Sequence, residues 1–463
     1  MCAGQARAST PSLAASSSRA STAASSTTLP AKRTATPSSS TQPAKKLAPV
    51  FAMAAAGSSN RSTDPITVTK LGKNQTCYQA KWEPDLWRMK RKVLALDIDG
   101  TLITTASGGK WPKDETDFRW LYSNVPRRLK EAHEQGYSII FVSNQAGQPA
   151  HQRKFFKKVP LIGYKLGNGI PFQCYAALGY DHFRKPSTGM WEAFLDSNGG
   201  EQAVDVAESV YVGDAAGRPH RGQSRTRDHA DTDRKFALNV GLKFMTPEEF
   251  FLDEAVDPEW QLEGWDPRTH DHSKPLFSPT NVPLVSPLPE FGQPQPEVVL
   301  FVGSPASGKT TLFKKFFEPA GYAHVNQDTL KTRAKCITVV RELLSSNKSC
   351  VVDNTSPARS TRAEYLDMIR NEFPQAKARI VYFAVPTPVA MHNNVYRSSD
   401  PASNRDMLPT IAFSSYEKAF EMPNAEAEGF DGMHTVNFKF DGDEEALKKW
   451  SRWLDVYPKG RSK

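Results

Sequence analysis

Short runs of aliphatic and β-branched residues alternate along most of the chain with stretches whose apolar positions return every three or four residues. Val93 to Leu96, Ser138 to Val142 and Ser209 to Val212 read as buried strands, and Val125 to Gln135 reads as an amphipathic helix. Strands that alternate with helices imply a parallel sheet covered on both faces. The same pattern covers residues 70–255 and, after a gap, 297–460. The gap, 256–296, is a connector with recurrent prolines, among them Pro258, Pro267, Pro275, Pro279, Pro283 and Pro287, expected to run extended over a folded surface. Residues 1–65 are dominated by Ala, Ser, Thr and Pro and cannot bury enough apolar surface to fold. The expected architecture is α/β: two parallel-sheet domains behind a disordered N-terminal tail, as befits 463 residues.

Charge changes the picture less than its total suggests. The net charge is +9, but Arg7, Arg19, Lys32, Arg33, Lys45, Lys46 and Arg61 precede any acid, the first being Asp64. The rest is nearly neutral, so a grip on nucleic acid must come from local basic patches. The acid-free, Ser/Ala-rich start resembles a mitochondrial transit peptide, while Lys32-Arg33 and Lys45-Lys46 read equally as a nuclear import signal. A nuclear protein with a mitochondrial copy is the expectation. Five scattered cysteines without a CxxC pair argue against a disulfide framework or zinc site and for a reducing compartment. No apolar run reaches bilayer length and no secretory leader is evident, so a soluble intracellular monomer without membrane contact is expected.

The first candidate chemistry follows Val93 to Leu96, where the strand ends in Asp97-Ile98-Asp99-Gly100-Thr101. Carboxylates there would project beyond the carboxyl end of a parallel strand, where ligands bind in open sheets. Two residues apart, Asp97 and Asp99 point the same way: one can attack phosphorus and the other protonate the leaving alkoxide. Gly100 would allow close backbone approach to a phosphate. By itself DxDG is as consistent with a surface turn. Three later features weigh against that: the strand ending in Ser143-Asn144-Gln145, whose Ser143 hydroxyl suits a phosphate oxygen; Arg184-Lys185-Pro186, whose Lys185 offers a cation; and the strand ending in Gly213-Asp214. Asp214 is placed to hold Mg²⁺ with Asp97, and Asp99 joins the candidate metal carboxylates.

Nucleophile, hydroxyl, lysine and metal acid in this order resemble the haloacid-dehalogenase-like phosphatases. Pro171-Phe172-Gln173, Lys185 to Trp191, Gly213 to Pro219 and Asp233 to Asn239 narrow the resemblance to the phosphatase half of polynucleotide kinase 3′-phosphatases. That resemblance implies one further acid supporting the metal site, with Asp233 the candidate and Asp228 the fallback. The basic stretch His220 to Arg227 departs from the family text and is either a solvated loop or a contact to DNA phosphates.

The second candidate site begins at Val298 to Val302, which runs into Gly303-Ser304-Pro305-Ala306-Ser307-Gly308-Lys309-Thr310, a GxxxxGK[ST] loop, followed by a helix-forming stretch Thr311 to Phe317. Strand, glycine loop and helix start are the context in which this motif binds nucleotide phosphates. Gly303, Ser304, Ser307, Gly308, Lys309, Thr310 and Thr311 are the expected ATP contacts, with Lys309 on the β/γ-phosphates and Thr310 on Mg²⁺. The resemblance to polynucleotide kinases then implies that Asp328 activates a 5′-hydroxyl, that Asp353-Asn354-Thr355 lies near the metal or the water around it, and that Arg397 stabilises the transferring phosphoryl group.

Taken together, the resemblance implies a bifunctional enzyme on broken DNA ends, using Mg²⁺ and ATP, that removes a 3′-phosphate and phosphorylates a 5′-hydroxyl. Repair scaffold or ligase proteins are its expected partners. RNA-end healing, or phosphatase–kinase action on small metabolites, is the alternative, and a scaffold that has kept only the folds is a third reading. Animal relatives carry a forkhead-associated module, and the tail here is too short and too poor in apolar residues to form one. Lys331, Arg333, Lys335 and Arg362 individually read as solvated surface that could steer the acceptor strand. His270-Asp271-His272 lacks the further ligands that zinc requires. His220 and His392 read as structural, and among the tryptophans Trp191 is the one suited to stacking on an unpaired base.

Overall fold

The computed structural model describes residues 65–221, 226–285, 295–400 and 405–456. The basic tail, on which the expected targeting signals fall, and residues 222–225 of the basic loop lie outside the described residues.

Residues that alternate toward two separate cores build the first sheet. Its half of the chain contains β1 (Ile66–Leu71), β2 (Cys77–Trp82), β3 (Lys92–Leu96) and the short pair β4 (Ile103–Thr104) and β5 (Arg119–Trp120). After these come α1 (Val125–Glu134), β6 (Tyr137–Asn144), α2 (Pro149–Leu166), β7 (Phe172–Ala177), α3 (Gly189–Asp196), β8 (Val210–Val212), α4 (Thr232–Val240), β9 (Lys243–Met245) and α5 (Pro247–Phe251). The sheet order is β1-β2-β7-β6-β3-β8-β9, with β7 through β9 mutually parallel and β1 and β2 antiparallel at one edge. Leu94, Leu96 and Phe141 face one apolar core, and Val93, Ala95 and Ile140 face the other. Burial on both faces is what parallel strands require. In register, Leu96 lies opposite Phe141 on β6 and Val212 on β8. The residues that follow β3, β6 and β8 therefore leave the sheet at the same edge.

The second half contains β10 (Phe277–Ser278), β11 (Glu297–Val302), α6 (Lys309–Leu312), β12 (Ala323–Val325), α7 (Gln327–Leu330), α8 (Arg333–Ser345) and β13 (Cys350–Val352). It continues through α9 (Arg359–Glu372), β14 (Lys377–Phe383), α10 (Thr387–Ser399), α11 (Thr410–Ala419), α12 (Ala425–Glu428), β15 (Met433–Val436) and α13 (Glu444–Trp450). Its sheet runs β10-β15-β14-β11-β13-β12 and is parallel except for β10. All six residues of β11 are buried, so the loop after Val302 starts from the centre of the sheet. The helix expected from Thr311 to Phe317 is α only through Leu312 and continues as a π turn, Phe313–Phe317, that buries Phe313 and Phe317. Both halves belong to one unit spanning Thr63–Lys463.

Three sequence expectations need correction. The connector is more than a drape: Phe277 and Ser278 add an antiparallel edge strand opposite Val436 and Thr435, and Trp265 packs its ring 5.8 Å from that of Trp450. Trp191 is buried, 5.3 Å from the Phe194 ring, and is a core residue rather than a base platform. Arg362 is fully buried and holds Glu428 through two 2.7 Å contacts while donating to the carbonyls of Ser356 and Pro357.

Removing one member of a buried pair leaves the other charge uncompensated. Arg362→Ala is accordingly expected to destabilise the protein by about 3–5 kcal/mol, measured as a lower urea midpoint with an unchanged slope.

Candidate active sites

At the edge where β3, β6 and β8 end, the structure gathers most of the first set of candidates. Asp97 follows β3, and its amide donates to Val212 O at 2.9 Å, which fixes it against β8. Lys185, 2% exposed, reaches it from the loop before α3: Nζ lies 2.7 Å from Asp97 Oδ1 and 2.8 Å from Asp233 Oδ1. The ammonium also donates to Val142 O at 2.6 Å and to the Tyr211 hydroxyl at 2.8 Å. Tyr211 in turn donates to Asp233, whose other oxygen accepts from the Ala215 amide. Asp97, Asp214 and Asp233 bring carboxylate oxygens within 4.8 Å of one another, the one such acidic or metal-ligating group among the described residues.

Burial controls the electrostatics here. It pushes the Asp97 carboxyl up to about 7; Lys185 opposes that rise, and Asp233 and Asp99 add to it. Asp214 is raised well above the usual carboxylate range by burial and by the charges of Asp97 and Asp233. Burial would lower the Lys185 ammonium, but Asp233 and Asp97 more than offset it and hold it raised.

Two glycines permit this crowding. A Cβ on Gly100, at φ 86°, would stand 2.4 Å from an Asp214 oxygen, and one on Gly213 would stand 2.5 Å from the Asp233 carboxyl. In this structure, then, Gly100 makes room for an acid of the site itself.

The remaining candidates divide. Asp99 stays outside the three-acid cluster; its oxygens meet Gln145 Nε2 at 2.7 Å and Lys158 Nζ at 3.4 Å. The Asp99 carboxylate thus stands apart from the other acids expected to hold metal: the local turn, with Asp99 bridged to Ile103, sends its side chain toward α2. Ser143 is buried and accepts from Gln145 at 3.0 Å. Asp228 lies elsewhere, held by Arg218 at 2.9 Å. Tyr211, Gln145 and Lys158 had no sequence signal, since a tyrosine in a strand and a lysine in a helix read as core and surface. Of the basic loop, Arg221 pairs with Glu259 at 3.1 Å and Arg227 pairs with Glu263.

In the second sheet the glycine loop leaves β11 and enters α6 through Gly308, left-handed at φ 92°. A Cβ on Gly303 would lie 2.7 Å from that of Phe383, so only glycine lets the loop pack on β14. Lys309 is buried; its Nζ donates to Ser304 O at 2.7 Å and Gly303 O at 3.1 Å. Burial brings its ammonium down to about 8, with Asp353 and Asp328 opposing the fall and Arg397 adding to it. Asp328 and Arg397, distant in sequence, thus both act on Lys309. Arg397 donates to Asn394 Oδ1 at 2.8 Å, and Asp328 is exposed at the start of α7.

Thr310 Oγ1 donates to Asp353 at 2.7 Å, and His324 Nε2 lies 3.0 Å from the same oxygen. Burial would raise Asp353, but these two hydrogen bonds more than offset it and hold its carboxyl low. Asn354 accepts from the Gln327 amide and Thr355 O accepts from Gly303 N, so the Asp353-Asn354-Thr355 turn braces both the loop and α7. Ser304 and Ser307 are buried in the loop, whereas Thr311 is exposed on α6. His324, stacked 4.2 Å from Phe313, was not anticipated. His270 meets Phe438 O at 3.1 Å within an aromatic cluster around Trp450, a structural role.

A family model described as polynucleotide kinase 3 phosphatase matches residues 92–251, and one described as AAA domain matches 298–423. The bifunctional polynucleotide phosphatase/kinase of Schizosaccharomyces pombe is 37% identical over 397 residues, 85% of this chain and 87% of its own. The chain belongs to the bifunctional polynucleotide phosphatase/kinase family. A putative bifunctional polynucleotide phosphatase/kinase of Acanthamoeba polyphaga mimivirus is 32% identical over 78% of this chain and 88% of its own. A polynucleotide 3′-phosphatase of Arabidopsis thaliana is 31% identical over 36% of this chain and 25% of its own. In this polynucleotide phosphatase/kinase the two matched segments each contain one of the sites described above, the acid cluster in the first and the glycine loop in the second.

Gly100→Ala combines a strained left-handed backbone with a collision at Asp214. It is expected to cost about 1–3 kcal/mol in chemical unfolding and to displace the Asp214 carboxylate in a crystal structure of the variant.

Proposed function

We propose that the protein repairs broken DNA ends, removing a 3′-phosphate at the first site and phosphorylating a 5′-hydroxyl with ATP at the second. The observation that carries this reading is the acid cluster Asp97–Asp214–Asp233 clamped on Lys185, standing in the same chain as a glycine loop whose Lys309 and Thr310 face Asp353.

At the first site Lys185 occupies Asp97 Oδ1, which leaves Oδ2 as the attacking atom. A bond from that oxygen to phosphorus forms as the phosphorus–O3′ bond breaks, and Asp99 gives its proton to the departing 3′-oxygen. Water then attacks the aspartyl-phosphate, with Asp99 as base, releasing inorganic phosphate and restoring Asp97. Exposure supports this division: the Asp99 side chain is 51% exposed, where a leaving group can reach it, and that of Asp97 is 11% exposed. Three close carboxylates with a raised Asp214 form a hard oxygen donor set that fits Mg²⁺. Asp97, Asp214 and Asp233 would hold the ion, which when bound neutralises charge on the phosphoryl oxygens. Lys185 fixes Asp97 and Asp233 in place and offers its positive charge to the same oxygens.

At the second site the amides of the glycine loop and the start of α6 would receive the ATP phosphates. Ser304 Oγ, buried with no hydrogen-bond partner among the described residues, fits an anionic ligand in that loop. Thr310 and Asp353 would hold Mg²⁺ there. Asp328 takes the proton of the 5′-hydroxyl as its oxygen bonds to the γ-phosphorus, and the bond to ADP breaks. Lys309 and Arg397 bear on the charge that this transfer moves.

On labelled nicked DNA bearing a 3′-phosphate and a 5′-hydroxyl, Asp97→Asn is expected to abolish 3′-dephosphorylation while leaving 5′-phosphorylation unchanged, and Lys309→Ala to do the reverse. Loss of both activities from either change in a folded protein would rule out two separate sites. RNA and sugar-phosphate substrates run beside the DNA decide the substrate class.

The two rival acids give a second test. Asp233→Asn is expected to lower phosphatase turnover by about 10²-fold or more and to weaken Mg²⁺ binding in calorimetry. Asp228→Asn, which leaves the cluster intact, is expected to change neither.

A further inference from the structure

The phosphatase cluster is braced from outside its own half of the chain. Trp450 ends α13, is fully buried in the apolar core of the second half, and donates from Nε1 to Asn393 Oδ1 at 2.8 Å. His392 Nε2 lies 2.6 Å from the Trp450 carbonyl. The residues just after that anchor cross to the first half. The Trp453 amide donates to Asn239 Oδ1, and the Trp453 carbonyl accepts from Asn239 Nδ2, both at 2.8 Å. The same Asn239 amide nitrogen donates to Pro186 O at 2.7 Å. Pro186 directly follows Lys185.

Two further contacts flank this bridge. Arg452 donates to Thr188 Oγ1 at 2.9 Å and lies 3.1 Å from Glu192, at the start of α3. Lys235, fully buried one turn before Asn239 on α4, pairs with Asp455 at 2.8 Å and Asp231 at 3.0 Å, its ammonium 4.3 Å from the Trp453 ring centroid. The loop that delivers Lys185 and the helix that carries Asp233 are therefore tied to one short segment, 452–455, whose own anchor is the kinase core.

Within the function proposed above, we propose that Asn239 is a positioning residue for the 3′-phosphatase reaction and that it acts by fixing the Lys185 loop to the kinase half through Trp453. It touches no reacting atom. A side-chain amide that makes three hydrogen bonds to two separate backbones sets the height of Pro186 above the sheet, and with it the reach of Lys185 to Asp97. Small displacements of such a group reduce turnover more than substrate binding, because the geometry is needed chiefly in the transition state. None of the kinase-site contacts described above involves Pro186, so the effect is expected to be confined to one of the two reactions.

Asn239→Leu keeps the branched shape and the number of heavy atoms and removes all three hydrogen bonds, and Asp455→Asn loosens the same segment without touching Asn239. In the full-length protein, Asn239→Leu is expected to lower phosphatase kcat about tenfold or more, with KM and the kinase rate within about twofold of wild type. Hydrogen exchange at the Ser187 and Gly189 amides should rise, while exchange in α6 stays unchanged. Asp455→Asn should show the same pattern more weakly. Unchanged phosphatase kcat in Asn239→Leu overturns the proposal. So does a parallel fall of both activities in both variants, which would make the contact a matter of folding alone. Wild-type turnover of both ends, measured alongside, tests the underlying functional reading separately.

Discussion

A single buried ammonium makes the first site possible. Three carboxylates within 4.8 Å, taken largely out of water, repel one another and lose hydration. Lys185 answers both costs: it lies within 2.8 Å of two of them, and its three N–H donors are taken up by Asp97, Val142 O and the Tyr211 hydroxyl. Asp214 is raised by burial first and by the charges of Asp97 and Asp233 second, with Lys185 opposing the rise. Three close carboxylates form a hard oxygen donor set that suits the divalent cation proposed for it, and Lys185 holds Asp97 in the orientation that the proposed attack on phosphorus needs.

The sheets explain why such a cluster can be assembled from residues more than a hundred positions apart. Parallel pairing of β3 with β6 and β8 puts three strand ends at one edge, and alternation between two cores fixes which side chains go inward. Asp97, Ser143 and Asp214 follow from that register without further instruction. The second sheet repeats the device with different chemistry. β11 sits between β13 and β14, so the glycine loop opens beside the Asp353 turn, to which Thr310 donates.

What was legible in the sequence were residues whose identity is costly anywhere else. A DxDG after an apolar run, a glycine loop before a helix and an isolated Gly213-Asp214 all stand at strand ends, where pattern and chemistry coincide. Less legible were groups whose role comes from tertiary approach. Lys158 sits in a helix among other lysines and becomes special only because α2 brings it to Asp99. Arg362 looked like surface for the same reason; its partner Glu428 is brought to it by the fold alone. β1 went unread because it is short and its side chains are mostly exposed, with pairing to β2 supplying what its own burial lacks. Phe277 and Ser278 were hidden among prolines, which forbid a central strand but not an edge.

The two sites also differ in how they meet solvent, and the difference follows from the reactions proposed for them. A carboxylate nucleophile must be held rigid and partly dehydrated, and Asp97 is both, clamped by Lys185 and by its own amide bond to β8. The group that exchanges protons with a departing oxygen and then with water must be reachable, and Asp99 is mostly exposed. In the second half the phosphate-facing lysine is buried whereas Asp328, the group for the acceptor hydroxyl, stands exposed on a short helix. In each site the residue proposed to handle phosphorus lies inside and the residue proposed to handle the polynucleotide oxygen lies at the rim. That arrangement suits a substrate too large to enter a pocket, one that can present only its terminus to the edge of a sheet.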